Sequence, residues 1–385
     1  MATTADYLNK LIEQKNTLAD NLVAKGVEAT HDETLETLVP KVLDISSGVA
    51  EEGLYPISDD CKLLGDIVLP NNITSINGDS LIHDNSNITS VTCKNGSVTV
   101  GVSAFNNCKN IVSLSGVSIS ESVPNNAFQS CSKLETIETM GIINVVGSSS
   151  FYNCSSLKKI NFGGQNIKIN YNAFYNCNNL TDVTIEEGST FSILNSYGFY
   201  GVPLSDEVVS KILNGCTAQT SYGQYLFCRN NALTSVTIPE NMGKLVSDMF
   251  STCENLETFI YSSSNNSNSL APAMLANCPK LKNVILPSNV DNLGSYGGNA
   301  WNNGNRNIFF NSPNIKNLTI GSGWNVSFHM ESLINLTHDS LINVLNSLKD
   351  LSDTTAKTLY LGETNLAKLT EDEKAIATNK NWALS

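Results

Sequence analysis

Basic residues are scarce in this 385-residue chain: 23 Lys and Arg stand against 36 Asp and Glu, for a net charge of −13. A phosphate-backbone binder needs the opposite surplus, so nucleic acid is excluded as a partner. Charge of either sign is thin at 15%, and the surface must be solubilised by the abundant neutral Asn, Ser and Thr. Histidine occurs only as His31, His83, His329 and His338. None has a motif partner, and His31 and His338 sit at helix starts, where capping explains them. The sequence lacks G-x-S-x-G, H-E-x-x-H, a P-loop and the dinucleotide glycine pattern. Carboxylate pairs such as Asp59-Asp60 and Glu186-Glu187 fall in turns. The expectation is a non-enzyme with no catalytic residues, no metal ligands and no cofactor. No stretch approaches the roughly 18 apolar residues of a membrane helix. Met1–Asp6 has neither the basic start nor the apolar core of an export signal. Synthesis in a cytoplasm, without membrane insertion or export by the common route, is therefore expected.

What is present is repetition. Ser103–Leu114 reads S-A-F-N-N-C-K-N-I-V-S-L and returns as A-F-Q-S-C-S-K-L from Ala127, S-F-Y-N-C-S-S-L from Ser150 and A-F-Y-N-C-N-N-L from Ala173. Cys108, Cys131, Cys154 and Cys177 are each 23 residues apart. A fixed period of this size marks a solenoid, in which each unit buries its apolar residues against its neighbours. The slot three residues before each cysteine holds Phe105, Phe128, Phe151, Phe174, Phe199, Tyr225, Phe250, Leu275 and Phe309. Leu81 extends it backwards, with Asp84 in the cysteine position. Val202 and Ser312 replace the cysteine in two copies, while Cys228, Cys253 and Cys278 keep it. Alternating runs such as Val183-Thr184-Ile185 and Val236-Thr237-Ile238 read as strands. Of the ten cysteines, seven fall in the repeat slot and Cys93 in an apolar strand position. They read as a column of small buried thiols, with no C-x-x-C spacing for a metal.

The pattern L-x-x-V-x-I-P with A-F-x-x-C-x-x-L resembles the BspA-type leucine-rich repeat over roughly Gly65–Trp324. The resemblance implies an α+β repeat solenoid with parallel β-strands that presents a surface, and it implies no reaction.

The flanks differ in kind. Ala5–Lys25 reads as a helix with Leu8, Leu11, Leu18 and Leu22 on one seam, and Glu33–Ile45 as a second helix containing Pro40. The seam serves either the neighbouring helix or self-association. A segment of this size is too small for an independent core, which favours oligomerisation or attachment. The block resembles the N-terminal segment of tail-associated proteins in phages and prophages of Gram-positive hosts. Four regions follow: a helical attachment segment at 1–46, a linker at 47–63, the solenoid at 64–331 and a C-terminal α/β capping module at 332–385. Leu204–Asn214 reads as a helix inserted between units. In Asn289–Arg306, four glycines mix with Tyr296 and Trp301 and the repeat step lengthens to 34. Tyr296, Trp301 and Arg306 are the candidate ligand-binding residues, unless the loop folds back on the array.

The functional expectation is a phage virion protein of tail or fibre type, localised in the particle. Its partners would be other tail proteins, copies of itself, and a host cell-surface glycan or protein. A cell-surface adhesin and a glycan depolymerase are the alternatives.

Overall fold

The computed structural model describes residues 4–24, 27–41, 65–69, 73–78, 82–93, 98–137, 140–240, 242, 245–261, 269–293 and 308–385. The expected linker at 47–63 lies outside them. Two helices open the chain, α1 (Thr4–Ala24) and α2 (Leu35–Lys41). They meet through a small core of Ala19, Leu22 and Leu38.

Each coil of the array supplies two short strands where the sequence pattern shows only one clearly. The first ladder runs Gly65–Leu69, Ile88–Cys93, Ser113–Ser115, Thr136–Ile137. The second runs from Ser75–Ile76 to Cys216–Tyr222 through seven strands, one per coil. Both ladders are parallel. Register places apolar over apolar: Val91 faces Leu114, which faces Ile137. Later, Val236, Phe259, Val284 and Leu318 align in the same way. Each strand's alternate residues turn into one continuous core, so burial by neighbouring coils selects the β-branched and aromatic residues there.

Inside the core the phenylalanines form a single file. Phe105, Phe128, Phe151 and Phe174 stack at 5.3–5.4 Å between centroids, with planes within 11°. The file continues through Phe199, Phe227 and Phe250. Parallel rings at this separation are slid past one another, the favourable offset arrangement. The cysteine slot has its own job. Cys131, Cys154 and Cys177 donate their thiols to the carbonyls of Phe105, Phe128 and Phe151 one coil earlier, at 3.0, 2.9 and 3.0 Å. Ser312 makes the same bond to Leu275 at 2.8 Å. In these coils the slot holds a small buried donor, whereas Val202 fills it with an apolar side chain.

Two slot assignments need correction. Phe227 stands in the file in place of Tyr225, and Asn230 takes the cysteine slot in place of Cys228. The backbone decides this: Phe199 N–H donates to Leu226 O, and Phe227 N–H to Met249 O. The coil is lengthened by α3 (Asp206–Asn214), which shifts the register while leaving a misleading aromatic-x-x-Cys spelling at 225–228. Asn230 Nδ2 also donates to a carbonyl of the preceding coil, that of Leu204 at 2.9 Å, where the thiols reach the file residue. Likewise the first coil supplies Ile82, whose carbonyl accepts from Cys108 Sγ, and Asn85 sits where a cysteine would. Asp84 instead adopts the left-handed conformation of Asn107, and Leu81 lies outside the described residues.

Helix α3 is capped by Ser205, which accepts from Val208 N–H. It packs between Asp182–Ile185 and Ser235–Thr237, replacing a strand of the ladder, with Val209, Ile212 and Leu213 buried. At the far end α4 (His338–Ser347) lies on Asn317–Ile320. Its Ser340 Oγ and Asn343 Oδ1 accept from the N–H groups of Leu318 and Ile320, so the edge strand's donors are occupied. Beyond it, Phe328–His329, Lys357–Tyr360 and Trp382–Leu384 form a parallel sheet. α5 (Gly362–Leu366), unmarked in the sequence, and α6 (Glu371–Thr378) complete the module. Thr370 and Glu373 form the expected capping box.

Coil-on-coil contact is close enough to exclude a methyl group. A Cβ on Gly116, at φ 68°, would stand 2.0 Å from Cys93 O, whereas one on Gly188, at φ 75°, would meet nothing. Gly188→Ala is expected to cost about 1–2 kcal/mol, the left-handed penalty alone. Gly116→Ala is expected to cost roughly 3 kcal/mol or more, because backbone must move as well. Urea midpoints of the two variants check the ordering.

Candidate functional site: a tyrosine ladder on the turn face

The compact turn of each coil contains two residues in the left-handed region. One precedes the file residue by two positions, as in Asn172 (φ 55°) and Tyr197 (φ 58°). The other follows it by two, as in Asn153 (φ 57°), Asn176 (φ 59°) and Arg229 (φ 61°). Asparagine enters this region more readily than most residues, which accounts for its recurrence here. Both positions donate N–H to a carbonyl of the following coil: Asn172 to Ser196, Asn153 to Tyr175 and Asn176 to Tyr200, at 3.1, 2.8 and 2.9 Å. The turn backbone is thus a hydrogen-bonded ladder. The side chain directly after the file residue is partly exposed at Asn106, Gln129, Tyr152, Tyr175 and Tyr200, and buried at Cys228 and Ser251.

On three successive coils that partly exposed side chain is a tyrosine. Tyr152 and Tyr175 stack at 5.0 Å, Tyr175 and Tyr200 at 4.5 Å. A second row adjoins the first, with Tyr197 and Tyr225 stacked at 4.8 Å. Tyr197 lies 5.7 Å from Tyr200 and 6.0 Å from Tyr175. Tyr171 stands at 87° to Tyr197 and is 46% exposed. The Arg229 guanidinium covers Tyr200 at 5.8 Å from the ring centroid. Asn176 Nδ2 donates to Asn153 Oδ1 at 3.1 Å beside the first row. Burial, reinforced by the adjoining hydroxyls of Tyr200 and Tyr152, holds the Tyr175 phenol above its ordinary range. The Tyr175 phenol therefore stays a neutral donor and acceptor at physiological pH.

These groups carry one formal charge, on Arg229. Tyrosine offers a large, rigid, amphipathic surface at low entropy cost, and Tyr, Asn, Ser and Gly are the residues of recognition surfaces. Tyr and Arg are also enriched where binding energy concentrates. The arrangement is suited to binding. The thiols of the described residues are buried, and burial pushes Cys108 and Cys278 up to about 12. Among the described residues no group of three His, Cys, Asp or Glu is placed to hold a metal ion, and no helix is long and apolar enough to cross a membrane.

The sequence-predicted residues fall elsewhere. Tyr296, Trp301 and Arg306 lie outside the described residues, as do the side chains of Leu8 and Leu11. Leu22 is buried against Leu38 with Leu18 packed beside it, so this part of the seam is occupied within the chain. Ile12 and Val23 of α1 are the exposed apolar residues, at 48% and 56%. The tyrosines went unremarked in the sequence, although F-Y-N-C, F-Y-N-C and F-Y-G on consecutive coils was a readable signal.

Comparison with known proteins agrees with the repeat. The family model described as BspA type leucine rich repeat region matches residues 79–205 and 168–303, in six copies. No curated protein matches the chain. Among solved structures, a leucine rich cell surface protein from Faecalibacterium prausnitzii is 16% identical, with 71% of this chain and 86% of that one covered and a TM-score of 0.38. A leucine-rich repeat protein from Bacteroides ovatus is 12% identical, covering 63% and 95%, at TM-score 0.25. A leucine rich repeat protein of T. pallidum is 15% identical, covering 59% and 87%, at TM-score 0.23.

Proposed function

Because the chain belongs to the BspA-type leucine-rich repeat family, we propose that it is a non-enzymatic recognition protein of a phage particle, attached through its N-terminal helices and presenting the array to the host surface. The observation that carries this is the tyrosine ladder, a contiguous binding-type surface with no catalytic arrangement beside it. The helical front segment supports the attachment role: among its described side chains the core holds Ala19, Leu22 and Leu38, while Ile12 and Val23 are exposed. A core that small gains from a partner. Several copies on one particle would raise a weak single contact through effective concentration.

Two measurements test the reading. Mass spectrometry of particles purified from an induced culture of the source strain is expected to find the protein, and immunogold to place it at the tail. Fluorescent full-length protein, multimerised on streptavidin, is expected to label Gram-positive cells without releasing reducing ends from their walls. Absence from particles overturns the virion role. Absence of labelling overturns recognition, and sugar release overturns the non-enzymatic assignment.

A further inference from the structure

Resting on that reading, the ladder's geometry narrows the ligand. Within each row the rings face one another at 4.5–5.0 Å, so most ring faces are already covered. What the rows turn outward is ring edge, hydroxyl and the Asn153–Asn176 amide pair. A protein partner takes its energy from apolar or aromatic anchors seated in desolvated pockets. Two cavities lined by described residues lie away from the ladder, at the C-terminal end of the array around Phe309 and Trp324 and beside the N-terminal hairpin. A polyanion requires a cluster of cations, and the ladder offers Arg229 alone in a chain of net charge −13. A chain of uncharged polyhydroxylated rings has neither need. Its hydroxyls pair with phenols and amides, and its repeat matches a surface that itself repeats every coil. Tyr171 is turned out of the stack and is the most exposed of the six tyrosines discussed, the one suited to lie against a sugar ring.

We infer that the tyrosine ladder binds a neutral glycan chain laid along the array axis, with Tyr171 stacking on a sugar ring and Tyr175 and Tyr200 hydrogen-bonding its hydroxyls.

The test is affinity electrophoresis of the full-length protein through gels containing β-glucan, mannan, galactomannan or chitooligosaccharide, with heparin as the anionic probe. Retardation by at least one neutral polymer, unchanged in high salt, is expected. Tyr175→Phe and Tyr200→Phe keep the stacks and remove one hydroxyl each. Each is expected to weaken binding about tenfold, the weight of one well-placed hydrogen bond, and Tyr171→Ala by at least as much. Far-UV circular dichroism and a thermal melt confirm that the variants fold. Indifference to all four neutral polymers, phenylalanine variants that bind like wild type, or retention by heparin alone that salt abolishes would each overturn the inference. Cell labelling separates it from the broader reading. Labelling lost after periodate treatment of the cells supports the glycan. Labelling lost after protease but not periodate leaves recognition standing and removes the glycan. Absence of labelling with retardation intact removes the host-surface role alone.

Discussion

Between about pH 8.5 and 10 the folded array is expected to lose most of its stability in a single cooperative transition. The cause is the cysteine column. An unfolded thiol ionises near 8.5. In the fold, burial pushes Cys216 and Cys228 up to about 11 and Cys108 and Cys278 to about 12. Cys131, Cys154, Cys177 and Cys253 stand well above the ordinary value for the same reason. The folded pKa is therefore the higher one. The stabilisation is complete below the unfolded value and is lost as pH rises toward the folded value, because unfolding then releases protons. Each thiol contributes roughly 1.4 kcal/mol per pH unit once its unfolded form is ionised, so eight together come to about 11 kcal/mol per unit. A domain holds only about 5–15 kcal/mol in total. Far-UV circular dichroism and thiolate absorbance, followed together against pH in reductant, are expected to change at the same midpoint. Thiolate absorbance rising near pH 8.5 with the dichroism intact would refute the argument. Replacing Cys131, Cys154 and Cys177 by serine should move the midpoint upward, since serine keeps the donor, as Ser312 does natively, and does not ionise in this range.

Phe151→Ala is expected to cost about 3–5 kcal/mol, the range for deleting a buried phenylalanine. Phe151 is fully buried and stacks on Phe128 and Phe174, both at 5.3 Å. Its loss removes two ring contacts and leaves a cavity that a rigid file cannot close. Phe151→Leu should cost less, near 1.5 kcal/mol, since Leu275 fills the equivalent position without strain on the ladder. The form of unfolding should change too. Coils contact only their neighbours, so cooperativity depends on each interface. All three tryptophans, Trp301, Trp324 and Trp382, lie in the C-terminal quarter. In urea, circular dichroism and tryptophan fluorescence should coincide for the native protein. In Phe151→Ala the dichroism should fall first, as the N-terminal coils uncouple. Coincident transitions in the variant would show that coupling does not run through the file.

The regular coils were legible because their interior positions have the same neighbours each time. A phenylalanine flanked above and below by phenylalanine, and a small donor beneath a carbonyl, meet the same demand at 128, 151 and 174. Where a neighbour changed, spelling misled. Helix α3 lengthened one coil and slid Phe227 under Phe199 although Tyr225 had the expected spacing. Asn85 and Asn230 were unreadable as cysteine equivalents, because the slot selects a small buried side chain, which thiol, Ser312, Asn230 and Val202 all supply, and not one residue type. The ladder escaped notice for a related reason. Singly, Tyr152 or Tyr197 is an ordinary surface residue, and only the contact between coils makes the group a surface.

Taken alone, the sequence determined that this chain is a parallel, coiled stack of repeats, and most of the residues that line its interior. Burial imposes a narrow choice on every inward position, and a narrow choice repeated becomes a visible period. The tertiary structure decided which coil lies on which and what gathers outside. Outward residues are chosen loosely by their own coil, and their neighbours sit a full turn of chain away, at a distance that hydrogen bonds in the backbone set and linear spacing does not.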